Sequence, residues 1–160
     1  MSSIPMSDAS TVDFSEHVHG YFFEDLAVGM SAFYSRTVTE ADIVLFAGIS
    51  GDFNPLHLNR EFAEKTRFGS CIAHGMLTAS LISTVVGTKL PGPGAIYMSQ
   101  NIRFTAPVKA QDTVTAVAEV VALDSERKRC QLDTRCLVRG ENVVIGEALL
   151  LVPSREKGTF

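Results

Sequence analysis

Residues 51–57 read GDFNPLH and hold Asp52, Asn54 and His57 within one short stretch. A carboxylate and a neutral imidazole can hold one water between them, take a proton from it and return one elsewhere. The stretch also has a plainer reading. Asp and Asn side chains bond nearby backbone groups and Pro55 sets the chain direction, which is ordinary turn chemistry, with His57 then a surface or a satisfied core histidine. The setting favours chemistry. An apolar helix leads into the stretch and LHLN follows, so Asp52 and His57 flank a stiff elbow, and Pro55 keeps the chain from continuing as helix between them.

A second constellation is IAHGML, residues 72–77. Gly75 stands at the start of an apolar helix, where backbone N–H groups lack internal partners and the helix dipole is positive. A substrate oxygen gaining negative charge is stabilised in such a place, and a missing Cβ lets a carbonyl approach the backbone closely. Helix entry alone also accounts for the glycine. His74 beside it reads as a packed, structural residue.

The elements that must position these groups follow from periodicity. MSAFYSRTV, residues 30–38, reads as a strand. Thr39 caps a helix with Asp42 at N3 and Ile43, Phe46, Ala47 and Ser50 on one face, ending at Gly51. REFAEKT, residues 60–66, forms a short amphipathic turn of helix. GMLTASLISTVVGTKL, residues 75–90, carries no charge before Lys89 and reads as a helix buried all round. It falls short of the roughly 20 residues a membrane span needs, and PGPG stops it. Four strands follow: one with Ile96, Met98, Gln100, Ile102 and Phe104 on one face, one with Val114, Ala116, Ala118 and Val120, one with Cys130, Leu132, Thr134, Cys136 and Val138, and one over residues 143–152. Short polar connections predict that consecutive strands pair antiparallel. The class is α+β, with a curved antiparallel sheet wrapped around a long central helix.

At 160 residues, with 46% apolar and 20% charged residues, the chain is expected to fold as one domain over residues 21–153, between a flexible tail over 1–20 and a C-terminal tail over 154–160. A net charge of -4, with ERKR as the densest basic run, excludes a surface built for nucleic acid. The N-terminal residues have no cationic segment leading into an apolar one, so a cytoplasmic, non-membrane protein is expected. Cys71, Cys130 and Cys136 are odd in number and lack CxxC spacing, which fits reduced thiols; no metal is expected, and the His17-x-His19 pair reads as incidental.

With these residues in view, the chain resembles the MaoC-like (R)-specific enoyl-CoA hydratases, or dehydratases, of the hot-dog fold. FAGISGDFNPLHLNREFA, residues 46–63, carries the resemblance, supported by AHGML and by RFTAPVKAQDTV at 103–114, and the core motif shows no departure. The resemblance implies reversible addition of water to a trans-2-enoyl-CoA, giving the (R)-3-hydroxyacyl-CoA. It makes Asp52 and His57 the catalytic pair and Gly75 N–H the donor to the thioester oxygen. It implies that Asn54 holds the loop or orients the water and that Ser83 matches a position near the substrate in some members, though a serine facing its own helix backbone is the commoner arrangement. It implies a homodimer or higher homo-oligomer and no cofactor beyond the CoA of the acyl-CoA substrate. Arg103 and Lys109 are candidate phosphate contacts that strand-end solvation explains equally. Two rival readings keep the same fold: an acyl-CoA thioesterase, and a catalytically silent acyl-CoA binding subunit.

Overall fold

The computed structural model describes residues 18–156, so the expectations for residues 1–17, His17 among them, and for 157–160 lie outside the described part. Five strands form one antiparallel sheet: β1 (Ser31–Thr37), β2 (Ile96–Phe104), β3 (Thr113–Asp124), β4 (Arg129–Val138) and β5 (Glu141–Leu151), in the order β1-β3-β4-β5-β2. Among the described residues four α-helices precede β2, α1 (Glu40–Ser50), α2 (Pro55–Leu58), α3 (Arg60–Glu64) and α4 (Gly75–Thr88), and a 3-10 turn at Phe23–Asp25 precedes β1. This is the α+β arrangement that the hot-dog resemblance implies.

Alternation in the sequence sets the buried face. Val114, Ala116, Ala118 and Val120 of β3 and Cys130, Leu132, Thr134 and Cys136 of β4 are at most 1% exposed and share one core with Leu81, Ile82, Val85 and Val86 of α4. Each fully buried Leu, Ile or Val contributes about 1.5–3 kcal/mol relative to its exposed state. All three cysteines are free. Burial pushes the Cys130 and Cys136 thiols up to about 12, so both stay protonated at neutral pH.

The structure departs from the sequence expectation at three places. Consecutive strands pair only within β3-β4-β5, because β2 crosses over to pair with β5 and leaves β3 to pair with β1. As an edge strand with a register shift between Tyr97 and Ser99, β2 is mostly exposed and its alternation is broken at Met98. Finally, α4 is not buried all round. Met76, Ser80, Ser83 and Gly87 form an open stripe at helical spacing, since the sheet covers only the opposite side. Among the described residues no helix is long and apolar enough to cross a membrane.

Candidate active site

The elbow is built from α1 onward. Thr39 and Asp42 form a capping box, with Thr39 Oγ1 accepting the Asp42 N–H at 3.2 Å and Asp42 Oδ2 accepting the Thr39 N–H at 2.8 Å. The helix stops at Gly51, whose φ of 76° is open to glycine at little cost and turns the chain sharply. Ser50 Oγ accepts the Asp52 N–H and Asp52 Oδ1 accepts the Asn54 N–H, both at 3.2 Å. Asn54 Oδ1 then accepts the Leu56 N–H at 3.0 Å as N-cap of α2, with Pro55 in its first turn. Pro55 thus opens a helical turn that carries His57, where the sequence had suggested only a break. Its missing N–H is harmless at that position.

Within this frame His57 Nδ1–H donates to the Ile72 carbonyl at 2.8 Å, and its Nε2 stands 3.9 Å from Asp52 Oδ2. The His57 side chain is 10% exposed and that of Asp52 54%. His74 is 2% exposed and donates from Nε2 to the Asp52 carbonyl at 2.9 Å. Its ring lies between Phe46, at a centroid distance of 5.1 Å, and His57, at 3.8 Å. Nitrogen and oxygen atoms of Asp52, His57 and His74 fall within 4.8 Å of one another. The two imidazole planes are tilted by 32° to one another.

Asp52, His57, His74 and Gly75 line a single cavity of about 470 Å³, whose remaining wall is largely apolar and includes Phe68, Phe104 and Val143. A bulge at Val143, where Cys136 pairs with Val144 but Leu137 with Asn142, turns its carbonyl to accept the Thr105 N–H at 3.0 Å and seats this wall. Gly75 is the first residue of α4, so its N–H has no intrahelical acceptor. A Cβ on Gly75 would stand 2.8 Å from Cε1 of Phe104, so only a glycine fits beside that ring as it lies.

Asn54 does not line the cavity; its side chain holds the loop. Ser83 lies apart from the dyad, in a neighbouring cavity of about 420 Å³ that shares Phe46 and Met76 with the first. Lys109 Nζ donates to the Phe68 carbonyl at 3.1 Å, and Arg103 sits by Asp133 and Glu147 in a shallow groove across β2, β5 and β4. Arg67, which the sequence did not single out, reaches the main cavity stacked over Phe68 at 4.9 Å, and so does Phe104, which the sequence had given only as a strand residue within RFTAPVKAQDTV. His74 carried a signal, its place directly before Gly75, which packing alone had seemed to explain.

Comparison with known proteins agrees with this architecture. The family model for the MaoC like domain matches residues 27–141. An (R)-specific enoyl-CoA hydratase of Rhodospirillum rubrum is 50% identical over 135 residues, covering 84% of this chain and 94% of its own. A 3-hydroxybutyryl-CoA dehydratase of Methylorubrum extorquens is 49% identical over 136 residues, 85% of this chain and 87% of that one. Among solved structures, the unliganded R-hydratase PhaJ1 of Pseudomonas aeruginosa superposes with a TM-score of 0.81 at 42% identity, covering 86% of this chain and 89% of that one.

Proposed function

The chain belongs to the MaoC-like family, and on that premise we propose that it acts as an (R)-specific enoyl-CoA hydratase, a hydro-lyase that reversibly adds water to a trans-2-enoyl-CoA to give the (R)-3-hydroxyacyl-CoA. The observation that carries the reading is the convergence of Asp52, His57 and Gly75 on one apolar-walled cavity.

In this reading one water sits against Asp52 Oδ2 and His57 Nε2. The dyad draws a proton from it as its oxygen attacks C3 of the enoyl thioester. Electron density moves onto the thioester oxygen, where Gly75 N–H and the positive end of α4 meet it. These dipoles are already oriented, so stabilising the enolate-like charge needs no rearrangement. A proton then returns from the dyad to C2 on the face from which water came, making the addition syn. Two groups this close share their protons, so the roles belong to the pair.

Asn54 acts indirectly, by keeping the elbow in shape. Ser83 lines the neighbouring cavity, which would receive the outer part of the acyl chain. Arg67, on the wall of the main cavity, is a cation in reach of an anionic group of CoA. A second copy of the chain is the expected partner: β2 is an unpaired edge, and Ile96 and Met98 on it are 47% and 44% exposed.

The test is to mix the protein with crotonyl-CoA. Loss of the conjugated enoyl absorbance without free thiol, with the (R)-alcohol found by chiral analysis, is the expected result. Thiol release would make the protein a thioesterase. Binding without turnover of enoyl-CoAs of any length would make it a silent acyl-CoA carrier.

A further inference from the structure

We propose that His74 is a positioning residue that holds Asp52, His57 and the Gly75 N–H in one register; the proposal rests on the hydratase reading above. One side chain touches all three parts. Its Nε2–H fixes the Asp52 carbonyl at 2.9 Å, while the Asp52 N–H is held on the other side by Ser50 Oγ at 3.2 Å, so the backbone of the carboxylate is clamped from both ends. Its ring lies against the His57 ring at 3.8 Å, while His57 is fixed at its far nitrogen by the Ile72 carbonyl. His74 is also the N-cap of α4, so its own backbone leads directly into the Gly75 N–H.

Packing alone does not account for a histidine here. His74 is 2% exposed, and among the described residues its buried Nδ1 has no hydrogen-bond partner. An unpaired polar atom in the interior is costly, and a phenylalanine ring would fill the same slot between Phe46 and His57 without that cost. What phenylalanine cannot supply is the Nε2–H to Asp52. His74 caps nothing with its side chain, so helix capping does not explain it either. The remaining role is geometric. The reacting groups must meet substrate at near-contact distances, and a misplacement of about 1 Å can cost on the order of a hundredfold in rate.

The experiment compares His74→Phe, which keeps the ring but not the donor, with His74→Gln, whose amide Nε2 replaces the donor but not the ring. With crotonyl-CoA, His74→Phe is expected to lower kcat by roughly tenfold to a hundredfold, with KM changed by less than about threefold, and His74→Gln to stay within about fivefold of the wild-type kcat. A phenylalanine variant that keeps kcat within about twofold, or a glutamine variant that falls as far as the phenylalanine one, overturns the proposal. If the wild-type chain turns over no enoyl-CoA, the hydratase reading fails and a second readout decides about His74. The Asp52 carbonyl ¹³C and His57 ring ¹⁵N resonances should both move in His74→Phe, and the Asp52 resonance should stay near its wild-type position in His74→Gln. Unchanged resonances in His74→Phe would refute it.

Discussion

The ring of Phe104 abuts Gly75 so closely that a Cβ added there would meet its Cε1 at 2.8 Å. Phe104 comes from the end of β2 and Gly75 from the start of α4, and both line the cavity that holds Asp52 and His57. The glycine therefore leaves room for a neighbouring ring and, in the proposed mechanism, for a substrate oxygen.

Gly75→Ala follows from that contact. Phe104 is 50% exposed and its ring can swing aside, so the fold tolerates the methyl group, and alanine favours helix over glycine by about 0.5–1 kcal/mol. The unfolding midpoint should be unchanged or slightly higher. The turnover of crotonyl-CoA should fall by about tenfold or more, because the methyl group and the displaced ring stand where the thioester oxygen must approach. Steady-state rates beside a thermal melt check both halves.

Asp52→Asn and His57→Asn remove the proposed proton-transfer groups while keeping local bonds. Asparagine at 52 retains an oxygen for the Asn54 N–H, and asparagine at 57 places an amide near the site from which Nδ1–H reaches the Ile72 carbonyl. Each should lower kcat by about 10²–10⁴-fold while the melting temperature moves by only a few degrees, as about 1 kcal/mol of change gives. Near wild-type turnover in either variant would remove that residue from the dyad.

Acyl-chain preference should respond to Ser83. Because Ser83 lines the neighbouring cavity and not the one with the dyad, Ser83→Phe should leave crotonyl-CoA turnover within a few-fold of wild type. It should raise KM for an eight-carbon enoyl-CoA much more, by about tenfold, as lost apolar contact of about 1–2 kcal/mol gives. A substrate-length series on the two proteins reads this directly.

The capping box gives a pH dependence with a defined sign. Hydrogen bonds from the Thr39 hydroxyl and backbone, with the Arg36 charge beside them, hold the Asp42 carboxyl below its ordinary value of 3.8. A carboxylate depressed in the folded state adds stability that is complete above the unfolded value and is lost as pH falls through the folded one. Asp42→Asn should therefore unfold at lower urea than wild type at pH 7, by an amount equivalent to about 0.5–2 kcal/mol. The gap should narrow as pH drops below 3.8, when the wild-type carboxyl also becomes protonated. Urea melts at both ends of the range test it, and a constant gap would show that the carboxyl's charge is not the source of the loss.

Local chemistry was legible in the sequence. Thr39 and Asp42 announce a helix start, Gly51 its end, and the alternation of Val114 to Val120 and Cys130 to Val138 names the buried face of two strands, because each signal depends on neighbours a few residues away. The spacing of Asp52 and His57 belongs to the same short range, and so does the place of Gly75 at a helix start. Contacts between distant segments decided the rest. Only the folded chain puts β2 at an edge and leaves one side of α4 open, since strand order is set by a crossover that no local pattern encodes. Only there does Phe104 come to lie on Gly75, and His74 between Phe46 and His57 with its hydrogen bond to Asp52. A side chain's partners across 20 or more residues depend on how the helix and sheet pack, and packing is a property of the whole chain.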